Sequence, residues 1–135
     1  DYRFVIDRLK EHKFTPTLCH NDWVEGNICY LNEKTYLIDF EYAGNNDKRF
    51  DIMSFITEND LTNNEKKAFI ELMYPDGLDA IEEQLLCMYR DINNLLWYLW
   101  AKMMYTVRKE SVYKDISKIK LKQLTEEYRK PLNFL

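Results

Sequence analysis

Two short stretches decide how this 135-residue chain is organised: His20-Asn21-Asp22-Trp23-Val24-Glu25-Gly26-Asn27 and, ten residues on, Leu37-Ile38-Asp39-Phe40-Glu41. The first is a polar loop that follows a short apolar run. Between the two stretches, apolar segments on either side of a polar turn at residues 32–34 predict a β-hairpin. The spacing therefore puts Asp22 just after a strand, Asn27 five residues later, and Asp39 at the end of a strand.

These three polar residues fit the requirements of phosphoryl transfer. That reaction needs an acceptor for the proton of the substrate hydroxyl, and oxygen ligands for Mg²⁺. Kinase-like folds supply them as an Asp and an Asn on a catalytic loop and a second Asp at the following hairpin. An Asp or Asn in a loop is, taken alone, more often a turn former. The combined spacing of Asp22, Asn27 and Asp39 favours the catalytic interpretation.

The rest of the chain is mainly helical in pattern. We predict helices near residues 4–11, 50–59, 62–73 and 112–129, and either one long helix or two over residues 77–111. Thr62 and Glu65 have the spacing of a capping box, and residues 43–48 are predicted to be a loop. The fold class is thus α+β, mainly α-helical, and the length suits one domain over residues 1–135.

Charge and composition exclude several classes of function. The net charge is −4, divided into +4 over residues 108–135 and −8 over the rest. An acidic body argues against nucleic acid and suits a cationic ligand. The basic end, with Lys114, Lys118 and Lys122 at helical spacing, is most simply a solvated helix face. No apolar run reaches the roughly 20 residues of a membrane span, and three cysteines without paired spacing fit a reducing cytoplasm.

The glycines are too few and too scattered to cradle phosphates. Only Gly26, Gly44 and Gly77 are present, and none belongs to a glycine-rich nucleotide-binding motif. The first residue is Asp1 rather than Met. We therefore expect the chain to be a piece of a longer protein, with most of any nucleotide site lying elsewhere.

Five motifs together carry a family resemblance: His20-Asn21-Asp22, Glu25-Gly26-Asn27, residues 37–42, Phe50-Asp51-Ile52 and residues 96–100. They resemble the C-terminal lobe of choline/ethanolamine kinases, within the aminoglycoside-phosphotransferase-like, protein-kinase-like superfamily. The resemblance runs from about Leu18 to Met104. It implies a kinase-like C-terminal lobe with a small hairpin at the catalytic loop and without the N-terminal nucleotide-binding lobe. Trp23 departs from the Leu that small-molecule kinases commonly have.

The resemblance also assigns roles to single residues. Asp22 corresponds to the catalytic base, and Asn27 and Asp39 correspond to the Mg²⁺ ligands. His20 and Asp51 correspond to positions that brace the catalytic loop, so we expect structural support from them. ATP is the implied co-substrate, bound mainly by the missing lobe.

The substrate-binding residues implied are Tyr42, Glu58, Trp97 and Trp100. A quaternary ammonium group has no N–H to donate, so proteins recognise it with aromatic faces and a nearby carboxylate. Trp97 and Trp100 are three residues apart and share a helix face. For an unknown helix such a pair is more often core, whereas here it accompanies Tyr42 and Glu58. Tyr105 or Tyr113 is a further candidate for this cage.

The expected activity is phosphorylation of the hydroxyl of choline or a related amino alcohol by ATP, giving phosphocholine for phospholipid metabolism. The chain alone is expected to be inactive, and its oligomeric state is open. Another kinase of the superfamily, acting on ethanolamine or an aminoglycoside, is the first alternative. A non-catalytic ligand-binding module is the second.

Overall fold

Five α-helices and four short strands make up the computed structural model, which describes residues 2–135. The helices are α1 (Arg3–Glu11), α2 (Lys48–Glu58), α3 (Asn63–Met73), α4 (Ala80–Arg108) and α5 (Ser111–Glu127). The strands are β1 (Thr17–Cys19), β2 (Ile28–Leu31), β3 (Lys34–Leu37) and β4 (Gly44–Asn46). Single 3₁₀ turns occur at Glu25–Asn27 and Phe40–Tyr42. The mainly helical α+β class predicted from the sequence is confirmed.

The predicted hairpin is present, with a tighter turn than the sequence indicated. Strands β2 and β3 pair antiparallel from Ile28 opposite Leu37 to Leu31 opposite Lys34. Only Asn32 and Glu33 lie between them, with φ of 50° and 60°. Two left-handed residues in a two-residue loop match the right-handed twist of the flanking strands. Lys34 therefore pairs in the ladder instead of belonging to the turn.

A second two-stranded sheet joins segments that are distant in sequence. β1 and β4 pair antiparallel, with Thr17 opposite Asn46 and Cys19 opposite Gly44. The prediction of a loop over residues 43–48 is wrong here. A strand of Gly-Asn-Asn has no apolar alternation, so only its partner strand makes it regular. The pairing holds the chain after Asp39 beside the segment that leads into Asp22.

Side-chain caps define where α2, α3 and α4 begin. The Asp47 carboxylate accepts from the Arg49 N–H at 3.0 Å and caps α2. At α3 the Thr62 hydroxyl accepts from the Glu65 N–H, and the Glu65 carboxylate accepts from the Thr62 N–H. The capping box predicted from the sequence is confirmed.

Helix α4 is one continuous element of 29 residues. The Asp79 carboxylate accepts from the N–H groups of Ile81 and Glu82, each at 2.8 Å, and so fixes its start. Lys109, with φ of 61°, ends it. The helix contains no Gly or Pro that could interrupt it. Of the two predicted alternatives, one long helix is therefore correct and two helices are not. Only two residues separate α4 from α5, and the two helices pack against each other.

The core lies between α2 and α4 and is closed by the end of the chain. Its buried members include Phe50, Met53, Leu86 and Tyr89, together with Phe134. Burying such side chains contributes about 1.5–3 kcal/mol each. This packing fixes the C-terminal end of α2 relative to the middle of α4, where Glu58 and the two tryptophans lie.

Candidate active site

The loop that carries Asp22 is held from two sides. The Asp51 carboxylate accepts from the backbone N–H groups of His20 at 2.7 Å and Asn21 at 2.8 Å. The buried His20 ring donates through Nε2 to the Ile38 carbonyl at 2.8 Å. These bonds tie the loop to α2 and to the residue just before Asp39. The geometry is that of the bracing role expected for His20 and Asp51, which stays a prediction.

Asp22 and Asn27 are in direct contact. The Asn27 side chain donates through Nδ2 to Asp22 Oδ2 at 2.9 Å and to the Asp22 carbonyl at 3.1 Å. The other carboxylate oxygen, Asp22 Oδ1, is buried without a hydrogen-bond partner within residues 2–135. Burial raises the pKa of Asp22, and the Asn27 hydrogen bond opposes that rise. A carboxylate that is held in place and has one free oxygen can accept a hydrogen bond from the hydroxyl of a substrate.

Asp39 lies at the end of the hairpin in a strained backbone conformation. Its φ and ψ are 62° and 64°, the left-handed region that Asp and Asn tolerate best. The Ile38 N–H donates to the Asn27 carbonyl at 3.0 Å, which links the two predicted metal ligands through the backbone. The negative charge of Asp39 also acts on Asp22 and contributes to its raised pKa. The hairpin therefore brings Asp39 close to the loop that carries Asp22.

The donor set suits Mg²⁺. Asn27 uses its amide N–H₂ toward Asp22, which leaves its amide oxygen for a cation, and Asp39 is exposed. Within residues 2–135 no three His, Cys, Asp or Glu side chains form a metal-binding group. Mg²⁺ does not need one, since it is usually held by one or two protein oxygens together with water and substrate phosphates.

The four predicted substrate-binding residues line one cavity together with Asp22. This cavity, which we call the amine cavity, has a volume of about 610 Å³. Its wall includes Tyr42, Glu58, Trp97 and Trp100. Residues from the loop of Asp22, the end of the hairpin, α2 and α4 thus line one common cavity.

The two tryptophans are half-buried and lie outside the buried core. Their ring centroids are 5.4 Å apart at 81°, an edge-to-face contact. The Trp97 indole Nε1 is buried without a partner in the described chain. Tyr113 packs edge-on against Trp100 at 5.5 Å, and Tyr105 lies under the Lys109 ammonium at 5.8 Å. Tyr113 therefore supports the aromatic wall from outside.

Sequence reasoning missed Lys120, which also lines the amine cavity. Its ammonium lies 2.6 Å from Glu58 Oε1, and the two side chains are only 6% and 10% exposed. Burial raises the pKa of Glu58, and the adjacent ammonium opposes that effect. The signal was the spacing Ser117, Lys120, Leu124, which puts this lysine on the buried face of α5.

Acidic groups outnumber basic ones around the amine cavity. Asp22, Glu41, Glu58 and Asp60 line it, against Lys120 as the one cation in its described lining. Glu41 also raises the pKa of the exposed Tyr42. Such a wall favours a positively charged ligand.

Among residues 2–135 no helix is both long and apolar enough to cross a membrane.

Comparison with known proteins gives a family match and a fold match. The family described as choline/ethanolamine kinase matches residues 2–89. Protein LicA of Haemophilus influenzae is 33% identical over 91 residues, which are 63% of this chain and 34% of LicA. A LicA homolog of Metamycoplasma hominis is 32% identical over 81 residues, covering 60% of this chain and 31% of the homolog. The chain therefore spans about a third of the length of these relatives.

A solved structure shares the fold. The crystal structure of a choline/ethanolamine kinase family protein from Mesorhizobium loti matches with a TM-score of 0.76 and 20% sequence identity. The match covers 90% of this chain and 42% of that protein. At this level of identity the likeness concerns the fold alone.

Proposed function

This chain belongs to the choline/ethanolamine kinase family, and from that premise we propose that it is the C-terminal lobe, residues 1–135, of a kinase that phosphorylates choline. The complete enzyme transfers the terminal phosphoryl group of ATP to the choline hydroxyl and gives phosphocholine. A nucleotide-binding lobe supplies most of the ATP site. The single observation that carries the proposal is the shared cavity of Asp22 and the aromatic wall. We propose the cytoplasm, where ATP is available, as its location.

Asp22 is the proposed catalytic base. Its buried, unpartnered Oδ1 accepts the proton of the choline hydroxyl, while Asn27 holds the other oxygen in place. Orientation of this kind, with neutralisation of charge, accounts for most of the catalysis in phosphoryl transfer. Asn27 and Asp39 would hold Mg²⁺, which when bound neutralises charge on the phosphates. His20 and Asp51 keep the loop in position.

The amine end of the substrate is proposed to lie against Trp97, Trp100 and Tyr42. A trimethylammonium group gains about 0.5–2 kcal/mol from each cation–π contact. The surrounding carboxylates give the cavity the matching charge. Ethanolamine is the second candidate, because Glu58 Oε2 has no hydrogen-bond partner in the described chain and can accept from a primary ammonium.

Replacement of Asp22 tests the proposal in the complete kinase. Asp22→Ala is expected to lower kcat by about 10²–10⁴-fold, the usual contribution of a positioned acid or base. The KM for choline should change little, since the amine contacts remain. Asp76→Ala, which removes an exposed carboxylate that does not line the cavity, is the control and should leave kcat unchanged. Near-normal kcat in Asp22→Ala at saturating substrate contradicts the assignment.

A further inference from the structure

Lys120 makes three contacts with its ammonium group, and all are with acceptors on other helices. Nζ donates to Glu58 Oε1 at 2.6 Å, to the Thr57 carbonyl at 3.0 Å and to Asn94 Oδ1 at 3.3 Å. An ammonium has three donors. Lys120 therefore has no N–H donor left for a ligand. It can influence the substrate only through Glu58, Thr57 and Asn94, which accept its hydrogen bonds.

The contacts of Glu58 are all on one oxygen. Oε1 accepts from Lys120 and from the Thr57 hydroxyl, the latter at 2.9 Å. Oε2 has no partner within the described residues and belongs to a side chain that lines the amine cavity. The carboxylate is thus fixed with one oxygen engaged and one left for the cavity. Its charge is cancelled locally by the ammonium beside it.

We propose that Lys120 sets the amine selectivity of the cavity, because it engages one oxygen of Glu58 and cancels its charge, so that the site prefers a quaternary to a primary ammonium. This inference rests on the proposed function and adds a selectivity residue to it. Lys120 is a positioning residue, since it acts through Glu58.

The preference follows from the different hydration of the two cations. A primary ammonium is a compact, strongly hydrated charge that needs acceptors and a counter-charge when it leaves water. A trimethylammonium has no N–H to satisfy and binds through aromatic faces. The other charged groups facing this space are Asp22, Glu41 and Asp60. Because one oxygen of Glu58 is bonded to Lys120, this part of the cavity should bind a quaternary ammonium more tightly than a primary one.

Binding of choline and ethanolamine to the chain, measured by calorimetry at pH 8, tests the proposal. Lys120→Met frees Glu58 and should tighten ethanolamine binding by about tenfold relative to choline. Lys118→Met is the matched control, because it removes a lysine of the same helix that is 64% exposed and paired with Asp115 on the surface. It should leave the ratio of the two Kd values unchanged. An unchanged ratio in Lys120→Met overturns the proposal.

A double variant separates an effect through Glu58 from a general loosening of α5. In Glu58→Gln with Lys120→Met, neither charge remains, and the relative gain for ethanolamine should disappear. Persistence of that gain overturns the role assigned to Glu58. Lys120→Arg keeps a cation with several donors and should keep the wild-type ratio.

A ligand-free measurement decides the coupling by itself. Carboxyl ¹³C NMR should give a higher titration midpoint for Glu58 in Lys120→Met than in wild type, because the ammonium that opposes the rise in pKa is gone. In wild type, the ¹⁵Nζ chemical shift of Lys120 should change with the same midpoint as the Glu58 carboxyl shift. This wild-type measurement replaces the first one if Lys120→Met does not fold. The absence of either coupling overturns the inference. If wild type binds neither amine, the proposed function fails while this measurement still stands.

Discussion

At the scale of single residues, Trp97 and Trp100 test the choice of substrate. Replacing either by Ala removes one cation–π wall and should weaken choline binding by on the order of 1–2 kcal/mol, or about tenfold. Ethanolamine should lose less, because it can still donate to Glu58. Leu99→Ala, a residue that is 55% exposed on the same helix, is the control. Equal, small losses of affinity for both amines would show that Trp97 and Trp100 pack the structure and do not bind the amine.

The three cysteines differ in burial, which predicts their reactivity. Cys19 and Cys87 are buried, whereas Cys29 is exposed. Burial raises the pKa of Cys19 to about 11 and also raises that of Cys87. Since the thiolate is the nucleophile, a pKa of about 11 leaves only about one Cys19 in a thousand ionised at pH 8.

Alkylation of the native chain by iodoacetamide at pH 8 should therefore stop at one adduct, on Cys29. In urea all three cysteines should react. Mass spectrometry counts the adducts, and peptide mapping identifies the site. Rapid modification of Cys19 in the native chain would contradict the packing of β1 against α2.

At the residue level, a spacing that chemistry requires is visible in the sequence, whereas a position that packing decides is not. The spacing of Asp22, Asn27 and Asp39 predicts their roles, which stay a prediction, and the structure brings the three residues together. Lys120 was missed because its neighbours Lys118 and Lys122 are exposed, and in the sequence all three lysines look like parts of one solvated helix face. Its place on the same helix face as Ser117 and Leu124 is a weak local signal, and the acceptors on α2 and α4 that allow its burial cannot be read from the local sequence.

At the scale of elements, the caps show how much stability local sequence supplies. Thr62→Ala removes the hydroxyl that accepts from the Glu65 N–H and should lower the free energy of unfolding by about 1 kcal/mol. Asn64→Ala, an exposed change in the same first turn, is the matched control and should have a much smaller effect. Urea unfolding followed by circular dichroism measures both. Equal losses would show that the capping box does not stabilise α3.

Helices were easier to predict than strands for a physical reason. The ends of α3 follow from its capping box and from Pro75, both visible locally. Strand β4, by contrast, is made regular only by β1, which lies 25 residues or more before it. The hairpin turn was misjudged by one residue because its left-handed Glu33 occupies a place where Gly is the usual signal.

At the scale of the whole molecule, the amine cavity extends beyond the segment that matches the family. That match ends at residue 89, whereas Trp97, Trp100 and Lys120 all come later. The loop of Asp22, the hairpin, Tyr42 and Glu58 thus lie within the matched segment, whereas both tryptophans of the proposed amine site lie outside it. The family match therefore includes the residues proposed for catalysis but not Trp97, Trp100 or Lys120, and binding measurements on α4 and α5 variants test those three directly.

The last prediction concerns the chain by itself. The four residues proposed to bind the amine, Tyr42, Glu58, Trp97 and Trp100, line one cavity of this chain, so choline should bind to the isolated chain with a measurable Kd. The sequence has no glycine-rich phosphate loop, and its three glycines lie at positions 26, 44 and 77. Choline-dependent release of ADP should therefore be undetectable for the chain alone. It should appear when the chain is joined to a nucleotide-binding lobe of the family and disappear again with Asp22→Ala. Robust turnover by the isolated chain would contradict the proposed division of the kinase into a nucleotide-binding lobe and an amine-binding lobe.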